Sequence, residues 1–192
     1  NVPSFAVHRD ADVVVPGLGR VRLDVAYGGA FYAIVAAAPL GLTLAPAEAG
    51  ALINAGRRIK QAVAQVLPIA HPFEPELSFL YGTIFTGPAQ LPGRHSRNVC
   101  VFADGEVDRS ATGSGVSARI ALHVARGEVA MQETVEIESV TGSTMQVAAV
   151  ESVQFGPHAA VIPEVRGRAH YAGRHEFWFD PQDPLRRGFL VR

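Results

Sequence analysis

Apolar and polar residues alternate along much of this chain, and two stretches switch to a helical period. Val21-Arg-Leu-Asp-Val25 alternates and predicts a half-buried strand. A second strand is expected over residues 30–36, with Tyr27-Gly28-Gly29 as the tight turn of a hairpin. The two glycines would also let a ligand approach the backbone, but locally the hairpin accounts for them. Upstream, Phe5-Ala-Val and Val13-Val-Val are short β-type runs that end in the turn Pro16-Gly17-Leu-Gly19. Residues 42–67 predict a helix in which Leu52, Ile59, Val63 and Val66 form one apolar face. Pro46 suits its first turn, and Glu48 favours the positive end of the helix dipole. Arg57, Arg58 and Lys60 lie off the apolar face and read as a solvated surface. Strands are expected over 77–85 and 98–102, with a Gly/Pro/Ser-rich loop over 87–96. A second helix is expected over 112–126. Val116, Ile120 and Val124 mark one face of it, while Ala118, Ala121 and Ala125 keep its girth small. Gly127 sits at its C-terminal cap position. Further strands are expected over 130–137, 145–153, 159–165, 168–171 and 175–179.

Composition narrows the classes. At 192 residues the chain suggests one domain or slightly more, and 48% apolar content against 18% charged allows a sizeable core. A formal net charge of −1 gives no basic excess to attract nucleic acid or an anionic membrane. No apolar run approaches the ~20 residues needed to span a bilayer. Cys100 is the single cysteine, which excludes an internal disulfide and makes a cytoplasmic setting the expectation. It lies in Val99-Cys100-Val101-Phe102 and reads as a small buried hydrophobe. The seven histidines show no ligand spacing beyond the weak His170/His175/Glu176 group, so no metal is expected.

The chemistry concentrates in Asp104-Gly-Glu-Val-Asp-Arg-Ser-Ala-Thr-Gly-Ser-Gly-Val-Ser-Ala-Arg119, which runs from a strand through a polar turn into a helix. Gly113 and Gly115 leave the backbone uncovered where the helix begins. Free N–H groups and the positive dipole end there form a natural site for a carboxylate or phosphate. Asp108, Ser110 and Thr112 are also good N-cap residues, so plain capping explains the same letters. The lysine of a P-loop and the third glycine of a dinucleotide fingerprint are both missing.

Residues 108–119, Asp-Arg-Ser-Ala-Thr-Gly-Ser-Gly-Val-Ser-Ala-Arg, resemble the second active-site motif of the proline racemase family. That motif reads Asp-Arg-Ser-Pro-Cys-Gly-Thr-Gly-Thr-Ser-Ala-Arg in the family's racemases and epimerases. Asp24-Val-Ala-Tyr-Gly-Gly-Ala-Phe-Tyr-Ala-Ile-Val35, Glu138-Ser-Val-Thr-Gly-Ser143, Gly167-Arg-Ala-His-Tyr-Ala-Gly173 and Asp183-Pro-Leu-Arg-Arg-Gly-Phe189 resemble other family segments, in the family's order. The resemblance implies a mixed α+β fold, a diaminopimelate-epimerase-like curved sheet or barrel around a central helix. It also implies that the chain is the C-terminal half of a two-domain protein. The family's first half carries a Met-Cys-Gly-His-type motif with the first catalytic cysteine, and that motif is not in this sequence.

Thr112 stands where the racemases and epimerases have their second catalytic cysteine. A thiol ionises near neutral pH and an alcohol essentially does not, so one face of the substrate Cα lacks a competent base. In the family, threonine here marks the dehydratases of trans-3-hydroxy-L-proline. The implied activity is cofactor-independent loss of water from that amino acid, giving Δ1-pyrroline-2-carboxylate. The implied site has Thr112 as the catalytic hydrogen-bonding group. Gly113 and Ser114 hold the substrate carboxylate, Asp108 pairs with the ring nitrogen, and Phe102 walls the ring. Racemisation of proline, epimerisation of 4-hydroxyproline and a non-catalytic proline-binding module are the alternatives. The expected partner is the small-molecule substrate hydroxyproline, with no nucleic acid or membrane, and a homodimer is carried as the oligomeric expectation.

Overall fold

The structure, a computed structural model, describes residues 1–190. The alternating segments form one sheet: β1 (Phe5–Val15), β2 (Gly19–Tyr27), β3 (Phe31–Ala36), β4 (Leu80–Gly87), β5 (Ser96–Phe102), β6 (Glu106–Val107), β7 (Val135–Glu138), β8 (Thr144–Phe155) and β9 (His158–Arg166). Their order is β1-β2-β3-β4-β5-β7-β8-β9, with β6 paired to β5. The pairs β3/β4 and β5/β7 are parallel, and the remaining neighbours are antiparallel. Each parallel pair requires a crossover. The first contains helix α1 (Ala49–Val66), and the second contains helix α2 (Gly113–Ala125).

The two helices lie on opposite faces of the sheet, and strand alternation sorts side chains between them. On β5, Val99 and Val101 join the core with α1, while Cys100 joins the cluster with α2. On β3, Ala33 and Val35 face the α1 side, and Tyr32 and Ile34 face α2. The sheet curves around α2 until its ends meet at one bridge, where Ser4 and Val161 exchange backbone hydrogen bonds of 2.8 and 2.9 Å. Every residue from Gly115 to Leu122 is buried, so α2 is enclosed all round rather than on one stripe. The expected α+β fold, a curved sheet around a central helix, is what the chain adopts.

Enclosure this close depends on glycine. A Cβ on Gly28 would stand 2.3 Å from the Ser114 carbonyl oxygen and 2.4 Å from the Ala118 amide nitrogen. The β2–β3 turn therefore does serve a close backbone approach, and the approaching group is α2 itself. Gly115 meets the sheet in the same way, its virtual Cβ lying 2.6 Å from Ile84 Cδ1.

Several boundaries differ from expectation. The helix foreseen from residue 42 begins at Ala49, after a short 3-10 turn at Pro46–Glu48. The Glu48 carboxylate accepts the Thr43 amide at 3.0 Å and holds the preceding segment out of the helix. The strand foreseen from residue 77 begins at Leu80, because Pro75–Leu77 winds into another 3-10 turn. The strand foreseen over 130–137 is only Val135–Glu138. The strands foreseen over 168–171 and 175–179 do not form. Among the described residues no sheet edge pairs with them, and Tyr171, Phe177, Trp178 and Phe179 stand exposed. A strand-like composition does not make a strand without a neighbouring strand to pack beside.

Polar groups cross the core beside α2. Glu138, wholly buried, accepts the Gln90 and Leu91 amides at 2.8 and 2.6 Å and lies 3.4 Å from the Arg97 guanidinium. Arg119 Nη1 donates to Ser96 Oγ (2.7 Å) and Asn98 Oδ1 (2.8 Å), and Nη2 lies 3.0 Å from His123 Nε2. Arginine only donates, so His123 Nε2 must accept. His123 Nδ1 then carries the hydrogen and donates to Glu128 at 2.5 Å. Glu128 alone would favour the imidazolium. Burial first, then the Arg119 charge, outweigh it and bring His123 down to about 4.

Two predictions follow from this packing. Gly28→Ala drives a methyl into backbone atoms that cannot yield, and should cost about 3 kcal/mol, measured as a loss in urea-unfolding free energy. His123 contributes stability that is complete above its ordinary value of 6.5 and is lost as pH falls toward about 4. Arg119 within α2, His95 ahead of β5 and Glu128 beyond α2 all face this ring. His123→Gln keeps an acceptor for Arg119 but cannot protonate, so its urea midpoint should fall less than the wild type's between pH 6.5 and pH 4.

Candidate active site

The loop entering α2 is built from its own short polar side chains. The Asp108 amide donates to the Cys100 carbonyl at 3.1 Å, which ties the loop to β5. Asp108 Oδ1 accepts the Ser110 amide (2.8 Å), and Oδ2 accepts the Thr112 hydroxyl (2.9 Å). Ser110 Oγ accepts the Thr112 amide at 3.0 Å, and Asn98 Nδ2 donates to the Ala111 carbonyl at 3.1 Å. The Thr112 carbonyl then receives the Val116 amide at 2.8 Å, the first bond of the helix.

Thr112 is held at φ 68° and ψ 101°. A β-branched side chain avoids positive φ, and holding it there costs on the order of 1–3 kcal/mol. In this conformation its hydroxyl turns back to Asp108 and does not cap the helix. The first-turn amides of Gly113 and Ser114 therefore keep no helical acceptor and sit at the positive end of the dipole. A Cβ at Gly113 would meet open space. Asp108 and Ser110 close short turns ahead of the helix, and Thr112, the cap residue by position, does not cap.

An aromatic wall stands beside this helix end. Tyr32 OH and Ser114 Oγ share a 2.7 Å hydrogen bond. Tyr32 meets Tyr81 edge-on at 5.8 Å, and Tyr81 stacks on Phe102 at 5.6 Å. A cavity of about 330 Å³ opens among Gly29, Ala30, Tyr32, Leu77, Phe79, Tyr81 and Ser114. Burial raises the Tyr32 phenol above its ordinary value, so it stays protonated and can donate or accept. A larger cavity, about 560 Å³, lies at the other end of α2 beside Asp24, Leu122 and Arg126, away from the motif.

Of the residues singled out by sequence, Asp108, Thr112, Gly113 and Ser114 come together at the helix head. Phe102, half-buried at the end of β5, joins them through Tyr81. Cys100 is wholly buried, as expected of a small hydrophobe, yet it lies against Thr112 and Asp108. Burial pushes its thiol up to about 12, so it remains protonated. Tyr32 and Tyr81 were not foreseen. Tyr32 could have been found, since strand alternation puts it on the same face as Ala26 and Ile34. Thr141 of the 138–143 segment also reaches this region, donating to the Arg109 carbonyl at 2.9 Å. Among the described residues no group of His, Cys, Asp or Glu is arranged to hold a metal, and no helix is long and apolar enough to cross a membrane.

Known proteins resemble this chain over its length. The trans-3-hydroxy-L-proline dehydratase of Colwellia psychrerythraea is 52% identical over 191 residues, covering 100% of this chain and 54% of that protein. The human enzyme of the same name is 45% identical over 194 residues, covering 100% of this chain and 55% of its own length. The chain thus spans about half the length of these relatives. A crystal structure of a hydroxyproline epimerase from Agrobacterium vitis, with bound trans-4-hydroxy-L-proline, superposes with a TM-score of 0.90 at 35% identity, over 99% of this chain and 54% of that one. Residues 1–190 match the proline racemase family, and the chain belongs to that family.

Proposed function

We propose that the full-length protein carrying this chain dehydrates trans-3-hydroxy-L-proline to Δ1-pyrroline-2-carboxylate. The observation that carries the reading is Thr112: an alcohol, bonded to Asp108, stands at the head of α2 where a base would be needed for inversion at Cα. The relatives named trans-3-hydroxy-L-proline dehydratase, up to 52% identical, support it.

In this reading the rest of the protein supplies the Cα base, a cysteine thiolate in a first half outside this chain. The substrate carboxylate docks on the Gly113 and Ser114 amides, which stabilise the charge that develops as the Cα proton leaves. Each Asp108 oxygen already accepts one bond and has capacity for another, so the carboxylate can pair with the ring ammonium. Phe102, with Tyr81 and Tyr32, walls the ring. The electron pair of the Cα–H bond becomes a Cα–C3 double bond as the C3–O bond breaks, and the departing hydroxide takes a proton and leaves as water. The enamine then tautomerises to the cyclic imine, and no net redox change occurs. Because its hydrogen is committed to Asp108, Thr112 Oγ1 meets the ligand as an acceptor. It sits on the ring face away from the base and supplies no second base, while the 3-hydroxyl of the trans-L isomer leaves on the face that carries the Cα hydrogen. Within the same proposal the protein works in the cytoplasm, on a small amino acid, as a homodimer.

A second reading, epimerisation of 4-hydroxyproline, is favoured by the likeness to the Agrobacterium vitis structure. Incubation with trans-3-hydroxy-L-proline separates the two: imine formation is expected, and inversion of 4-hydroxyproline without imine would establish the epimerase. Thr112→Val keeps the side-chain shape and should lower kcat about 100-fold with little change in KM. Thr112→Cys should instead begin to invert proline at Cα. Asp108→Asn should raise KM roughly 30-fold, the effect of about 2 kcal/mol from a lost charge-assisted contact.

A further inference from the structure

The reaction leaves unused the cavity of about 560 Å³ beside the C-terminal end of α2. Its volume is that of a small-molecule site, roughly 300–1,000 Å³. Ile34, Leu40 and Leu122 give it an apolar wall, and the guanidinium groups of Arg20, Arg22, Arg119 and Arg126 stand around it.

Three of these cations are paired. Arg20 lies 3.5 Å from Asp12, Arg22 lies 3.0 Å from Asp10, and Arg126 reaches Asp10 at 3.0 Å and Asp24 at 2.7 Å. The pairing is built into the backbone. The β1 ladder slips register between His8 and Ala11, Asp10 takes φ 56°, and its amide donates to Asp24 Oδ1 at 2.8 Å. A bulge re-aims a side chain, and this one sets the Asp10 carboxylate between Arg22 and Arg126.

Arg119 is the exception. It is 4% exposed, and its partners at 2.7–3.0 Å, Ser96, Asn98 and His123, are neutral. Glu128 acts on its charge from beyond the His123 ring, whose Nδ1 donates to Glu128 at 2.5 Å. Of five guanidinium N–H groups, two on Nη1 and one on Nη2 are used, so Nε–H and the other Nη2–H have no acceptor among the described residues. A buried cation without a counter-charge is costly, and a carboxylate brought to it offsets that cost. The negative end of the α2 dipole opposes an anion here, so the charge of Arg119 needs help from the apolar wall.

We propose that this cavity is a second ligand site, one that takes a small monocarboxylate with an apolar body: the carboxylate on the free N–H groups of Arg119, the body against Ile34, Leu40 and Leu122. One uncompensated cation calls for one negative charge. The proposal does not rest on the dehydratase reading. In that reading the rest of the protein meets the other end of α2, where Gly113 and Ser114 lie, and this end stays open.

The test titrates the full-length protein with benzoate, followed by saturation-transfer NMR. Gly113→Asp separates the two sites. A side chain there meets open space, and its carboxylate repels a ligand carboxylate from the first-turn amides. Benzoate should bind Gly113→Asp as it binds wild type, with a dissociation constant of about 1 mM or tighter. Arg119→Met should weaken binding roughly tenfold or more. Ala36→Trp should do the same by filling the cavity from an exposed position at the end of β3, and it decides alone should Arg119→Met not fold. Absence of saturable binding to Gly113→Asp at about 10 mM benzoate overturns the proposal. So does binding that Ala36→Trp leaves undiminished. Inorganic phosphate that displaces benzoate at equal concentration also overturns it, because the apolar wall then contributes nothing.

Discussion

The structure depends on a helix held inside a sheet with almost no side-chain padding. Gly28 puts the β2–β3 turn directly on the backbone of α2 near Ser114 and Ala118, and Gly115 brings the helix down on Ile84. Packing at this distance leaves the helix little freedom to shift along its axis or rotate, because interiors at crystal-like density have no room for it. The strands supply matching small or flat surfaces, with Ala26, Tyr32, Ile34 and Cys100 on the same inner face. The other face is filled independently by α1, so the sheet is a shared wall between two cores.

A helix fixed in this way has a fixed N-terminus, and there the packing becomes chemistry. The amides of Gly113 and Ser114 are carried by a helix buried from Gly115 to Leu122. A site for an anion gains from such rigidity, since donors already aimed cost no reorganisation when charge develops. The strain at Thr112 belongs to the same arrangement. Its positive φ is tolerated because Asp108, Ser110 and Asn98 each hold one of the groups around it. Were the loop loose, Thr112 would relax toward an ordinary cap and close off the first-turn amides.

The large features of the fold were legible in the sequence because they rest on local periodicity. The β2–β3 hairpin, the two helices and the run from β5 into α2 all follow from alternation, apolar faces and glycine punctuation. The candidate site was legible where it is contiguous, since residues 108–114 form one turn whose bonds are nearly all between near neighbours. What escaped was non-local. Tyr81 reaches the site only because β4 lies between β3 and β5, and nothing in its own segment signals that. Cys100 was read correctly as buried, but its place beside Thr112 depends on which way β5 faces. The segments at 168–171 and 175–179 failed for the opposite reason: their composition suits a strand, but a strand also needs a neighbour.

The Asp108–Thr112 bond bears on why an alcohol suits this position. Inversion at Cα requires a proton to be taken on one face and given on the other, so both groups must exchange protons freely. Elimination of water from the trans-L isomer requires one base only, because the 3-hydroxyl leaves from the face that carries the Cα hydrogen, and on the other side a group that does not compete for that proton. In the proposed dehydration Thr112 would meet that description, its hydrogen being donated to Asp108 at 2.9 Å. Asp108 would in turn be drawn toward the ring ammonium, which ties the position of the hydroxyl acceptor to the position of the ring. A thiol there would be a weaker acceptor and, once ionised, a second base. In the proposed dehydration the exchange of sulfur for oxygen would thus remove the second base that inversion needs.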